Sequence, residues 1–140
     1  MNSDISAALV KIVRACDATH MCTCGAQYPD VRQMTNAMNR DTQELNLYFM
    51  TGATTPKYEQ LVANPKCTLY YFDDKTRHAL RLFGRIEFVT DMATRERHWH
   101  EDYKKFGYVG PADNDFVLMR FIPEMYKFYN ADGMQTGTLR

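Results

Sequence analysis

The connections between the β-type runs of this chain are short and polar, and that limits its fold more than any other feature. Runs rich in β-branched, aromatic and aliphatic residues cover 20–24, about 31–38, 45–51, 67–72, 78–89, 116–122 and 125–129. The turns at 25–30, 39–42 and 73–76 carry Gly, Pro, Asn and Asp. A parallel crossover needs roughly a dozen residues or more, so strands joined by such turns run antiparallel. Three helices fill the longer connections. Ile5, Ala8, Leu9, Ile12, Val13 and Cys16 line one helical face, with Ser3 or Asp4 available as cap. Thr55 and Pro56 open a short helix that Asn64-Pro65 ends. Asp91 starts a third helix reaching about Phe106, whose thin apolar face of Met92, Trp99, Tyr103 and Phe106 keeps it on the surface. Gly84 interrupts the long run at 78–89, and the stretch from Ala131 lacks periodicity. The pattern predicts a mainly β, antiparallel barrel with peripheral helices: one domain over 1–130, and a loose tail over 131–140.

Composition narrows the function classes. Lysine plus arginine equals aspartate plus glutamate at 17 each, so no overall field draws the chain to nucleic acid or anionic lipid. The N-terminus has no basic n-region, and no apolar run reaches membrane-spanning length, which predicts a soluble cytoplasmic protein. Cys16, Cys22, Cys24 and Cys67 lack a second pair with zinc-like spacing and read as free thiols.

The segment from Phe49 to Lys57 carries the most chemistry. A strand ends, three threonines crowd a loop, and a helix opens with a lysine in its first turn. Unpaired N–H groups, positive partial charge, hydroxyl donors and an ammonium together suit a phosphate monoester. The plainer reading, Thr55 as a cap and Lys57 as a solvated surface residue, stays open on this segment alone. Neither G-x-G-x-x-G nor G-x-x-x-x-G-K-[ST] is present to offer another phosphate site.

Phe49, Thr51, Thr55 and Lys57 meet the pattern F-x-T-x-x-x-[ST]-x-K, and Arg32-Gln33-Met34 meets R-x-[VM] on the preceding strand. With the Asn64-Pro65 helix end and the strand leading to Gly84, the chain from about Ala8 to Tyr129 resembles the FMN-binding split barrels. That family includes pyridoxamine 5′-phosphate oxidase and the general stress protein 26-like branch. The resemblance implies that Thr51, Thr55 and Lys57 hold the FMN phosphate, that Arg32 helps, and that Gln33, Met34, Phe49 and Met50 border the cofactor. It also implies a homodimer with flavin in the cleft between barrels, where Trp99 and Tyr103 could approach the partner's cofactor. Packing of those two aromatics on their own barrel is the alternative. Three positions depart from the oxidase: Pro56 replaces a basic residue, Ala79 a glutamine and Ala37 a substrate lysine, and the C-terminal arginine-x-histidine element is missing. Pyridoxamine phosphate is therefore not the expected substrate.

The resemblance implies an FMN-dependent oxidoreductase with a small-molecule electron donor or acceptor. The alternatives are a non-enzymatic flavin-binding or redox-sensing stress module, or the same barrel binding haem or a deazaflavin. Other clusters are weaker. His98 and His100 point about 200° apart on a helix and cannot share a metal. Cys22 and Cys24 share a strand face but make an incomplete zinc site. Asp113, Asn114 and Asp115 lack a calcium-loop pattern.

Overall fold

The computed structural model describes residues 3–139, with Ser3 as backbone alone. Helix α1 (Ser3–Ala15) is followed by strands β1 (Ala18–Cys24), β2 (Pro29–Thr35) and β3 (Leu47–Gly52), then by helix α2 (Pro56–Ala63). Strands β4 (Lys66–Phe72) and β5 (Ala79–Phe88), helix α3 (Met92–Arg97), β6 (Phe116–Asn130) and β7 (Gly133–Thr138) complete the chain. Asp4 lies in the first turn of α1, while the position preceding that helix, where a cap would sit, lies outside the described residues.

Every strand pair is antiparallel, in the order β2-β1-β4-β5-β6-β3, with β7 on the edge of β6 that β3 leaves free. Met34 on β2 and Phe49 on β3 belong to opposite end strands yet share one core cluster with Leu9, Val13, Leu69, Leu82 and Phe121. The sheet is thus rolled around a common core and left unclosed between β2 and β3. No strand covers the seam-facing edges of those two strands.

A buried polar hub holds the N-terminal helix to this sheet. Asn36 Nδ2 donates to the carbonyls of Val13 and Cys16, each at 2.8 Å, and its Oδ1 accepts from Tyr71 Oη at 2.8 Å and Asn39 Nδ2 at 3.1 Å. Asn39 in turn accepts from Tyr48 N–H at 2.8 Å and donates to Tyr48 C=O at 3.0 Å. Its amide stands in for a missing strand neighbour along the open edge of β3. Burial pushes the Tyr71 phenol far up, so it stays a donor.

Four expectations need correction. The second strand ends at Thr35, not near Met38, because Asn36 turns inward to the hub and a 3₁₀ turn follows at Ala37–Asn39. The helix expected over 91–106 is broken: α3 ends at Arg97, and a separate 3₁₀ turn covers Glu101–Phe106. Met92 and Phe106 are exposed, so no continuous apolar face holds the two pieces in one rod. The runs at 116–122 and 125–129 are one strand, with Pro123 placed opposite the bulge between Phe83 and Gly84, where a missing N–H costs the ladder little. The tail is not loose over 133–138. Gly133, at φ 103°, reverses the chain and lets β7 pair with β6 through backbone bonds.

Candidate functional site

The strand-to-helix corner after β3 is built from local rules. Thr55, extended at φ −84°, ψ 150°, caps α2 by accepting from Tyr58 N–H at 3.3 Å, and Pro56 occupies the first helical turn. The Thr55 hydroxyl spends its one proton on the Gly52 carbonyl at 2.9 Å. Thr51 Oγ1, 3.1 Å away, must therefore donate to Thr55, and it accepts from Lys57 Nζ at 2.8 Å. A chain of oriented donors thus runs from the ammonium through two hydroxyls into the backbone.

Lys57 is half-buried, and burial followed by the charge of Arg32 lowers its pKa. Among the described residues no carboxylate lies within ion-pair distance of its ammonium. Arg32 reaches the same corner from β2. Its Nη1 donates to Thr23 Oγ1 at 2.8 Å and to the Met21 carbonyl at 3.2 Å. Its Nη2 donates to Gln60 Oε1 at 3.2 Å and lies 2.9 Å from Asp30 Oδ2. The hydrogen bond from Gln60 and the Arg32 charge hold the Asp30 carboxyl below its ordinary pKa. Two cations, two hydroxyls and a helix start face one place.

Four of the eight positions named for a cofactor, Arg32, Thr51, Thr55 and Lys57, are brought together by their side chains. Phe49 is 1% exposed and Met34 8%, both packed in the core, so only their backbones remain available. The Gln33 side chain points to the opposite sheet face, where it lines a hollow with His20, Tyr70 and Phe72. Met50 alternates outward from Thr51 into a small second core under Trp99, Tyr103 and Tyr108. By the same two-residue repeat, Met50 presents its N–H and C=O on the open edge that Asn39 covers at Tyr48.

Trp99 and Tyr103 pack on their own barrel, edge-to-face with each other at 5.5 Å and against Phe116 at 5.2 and 6.0 Å. His98 stacks on Tyr48 and His100 caps the following 3₁₀ turn, so the two imidazoles are engaged apart. Among the described residues no three His, Cys, Asp or Glu side chains form a metal-binding group, and no helix is long and apolar enough to cross a membrane. Cys22 and Cys24 share the outer face of β1 as free thiols.

Sequence reading missed Thr23, Asp30 and Gln60, which surround Arg32. Treating 25–30 as a turn hid that β2 begins at Pro29, which puts Asp30 on the Arg32 face by simple alternation. Gln60, one helical turn beyond Lys57, carried no signal of its own.

A family model described as pyridoxamine 5′-phosphate oxidase like matches residues 4–139. No curated protein sequence matches the chain. Among solved structures, a Clostridium acetobutylicum protein related to general stress protein 26 superposes with a TM-score of 0.80 at 23% identity, covering 99% of this chain and 97% of that one. A Nostoc punctiforme pyridoxamine 5′-phosphate oxidase-related, FMN binding protein gives 0.71 at 13% identity, covering 96% and 95%. A heme binding protein from Mycobacterium smegmatis gives 0.67 at 12% identity, covering 92% of this chain and 57% of that one. At these identities the superpositions speak for the split-barrel fold alone. With the family model spanning nearly the whole sequence, the chain belongs to the pyridoxamine 5′-phosphate oxidase-like family.

Proposed function

We propose that the chain is an FMN-binding flavoprotein, an oxidoreductase that works as a homodimer on a small-molecule electron donor or acceptor other than pyridoxamine phosphate. The observation that carries this reading is Lys57: a half-buried ammonium beside a second cation, bonded to the Thr51 hydroxyl and to no carboxylate among the described residues. A phosphate monoester would relieve both the burial and the repulsion. Thr51, Thr55 and Arg32 would share its oxygens, and the backbone edges of β2 at Gln33–Met34 and of β3 at Phe49–Met50 would border the ring across the seam. Bound flavin supplies the electron chemistry, while the protein anchors, orients and shields it. A partner barrel over the seam would shield the open side, with Trp99 and Tyr103 on the rim as candidates to meet it. The FMN binding relative supports the ligand, and the heme binding relative supplies the competing one.

Lys57→Ala should weaken FMN by about 1–3 kcal/mol, the range for a lost charged hydrogen bond, and leave riboflavin almost unchanged. Titrations of both ligands check this. Equal loss for the two would remove the phosphate from this corner. Flavin bands at about 370 and 450 nm in the loaded protein support the reading, and a Soret band on haem addition with none on FMN overturns it. Oxidation of the bound, reduced flavin by small acceptors no faster than that of free reduced FMN would leave a binding module in place of an enzyme.

A further inference from the structure

Arg32 is bound inside the protein more completely than a simple phosphate ligand needs to be. A guanidinium has four hydrogens on its terminal nitrogens, and here each terminal nitrogen meets two acceptors. Nη1 faces Met21 and Thr23, and Nη2 faces Gln60 and Asp30. Of these acceptors only Asp30 is charged. Its Oδ2 also accepts from Gln60 Nε2 at 3.1 Å, and its Oδ1 from Val31 N–H at 2.9 Å, so the carboxylate is aimed at Arg32 from two sides.

We propose that Asp30 is a resident anion for Arg32, a carboxylate that occupies Nη2 in the free protein and must be displaced before a phosphate can engage the guanidinium fully. The inference rests on the phosphate placement above and adds a determinant of its affinity. Which partner yields follows from exposure. The Arg32 side chain is 19% exposed and fixed by β1 and α2, whereas that of Asp30 is 49% exposed. Asp30 also borders an open hollow with Gly25, Ala26, Gln27, Tyr28 and Gln60, into which the carboxylate can turn. Charge points the same way. Lys57, Arg32 and Asp30 together carry one positive charge, while a phosphate monoester carries about −1.5 to −2. Removing the carboxylate doubles the positive charge that the ester meets.

The test is the sign of one substitution. Asp30→Asn keeps size and most hydrogen bonding but removes the charge, and it should tighten FMN about tenfold, the size of a carboxylate–phosphate repulsion across a partly wetted gap. Riboflavin affinity should not change, and inorganic phosphate should compete with FMN more effectively against the variant. Asp30→Ala, which leaves Nη2 without an oxygen, should move FMN in the same direction. Weaker FMN binding in both variants would make Asp30 an organiser of Arg32, and unchanged binding would make it a bystander; each overturns the inference while leaving the phosphate site intact. If wild-type protein binds FMN and riboflavin alike and Lys57→Ala affects neither, the phosphate placement fails, and this inference with it.

Discussion

Lys57 keeps its charge at a cost, because its surroundings favour the neutral amine. Its folded-state pKa lies below its unfolded value, so the unfolded chain holds the extra proton in the window between the two, and stability on this account rises with pH there. A bound phosphate reverses the balance by stabilising the ammonium. FMN affinity is therefore expected to fall as pH climbs through the depressed lysine pKa, below the ordinary 10.5, while riboflavin affinity stays flat. Dissociation constants of both ligands across the alkaline range check this, and a parallel decline would separate the effect from Lys57. Gly84 poses a different residue-scale demand. A Cβ there would stand 2.1 Å from the Ile122 carbonyl oxygen and 2.9 Å from the Phe121 ring. Gly84→Ala should destabilise by about 1–3 kcal/mol through overpacking, seen as a lower urea midpoint at constant slope.

At the level of elements, α2 stands on its cap. Thr55→Ala should cost about 1 kcal/mol of stability and also loosen Thr51, whose proton then lacks its acceptor, while Thr55→Ser should retain both roles. Thermal melts with FMN titrations separate the two losses. This helix was legible in the sequence because its start and stop rest on residues with fixed local habits: Thr55 and Pro56 at one end, Asn64 and Pro65 at the other. The strand assignments from Cys67 and Phe116 onward were legible from apolar runs that do face the core. The third helix was not, since Trp99 and Tyr103 owe their places to Phe116, a contact between segments that spacing alone cannot report. β7 left no pattern because its side chains are mostly exposed and its hold on β6 is through the backbone. At the site, the threonines and Lys57 stood out through their crowding in one loop. The Asp30–Gln60 pair did not, because its meaning depends on strands and helix converging.

For the whole molecule, the central fact is an antiparallel sheet wound around one core and left unsealed between β2 and β3. Leu139 packs against that core, and its N–H donates to the Glu124 carbonyl at 2.8 Å. Removing everything after Asp132 should thus lower the melting temperature and promote association through the bared edge of β6, which light scattering would register. A truncated chain as stable and monodisperse as the full one would show β7 to be ornamental. The fifteen residues of β6 are bonded to β5 on one side and to β3 and then β7 on the other. No plane of easy cleavage therefore runs through the middle of the barrel, and the amide protons of this strand should survive longest in heavy water, lost only when the entire domain opens. Those on the uncovered margin of β3 should vanish within the first time point, unless a ligand lies across them.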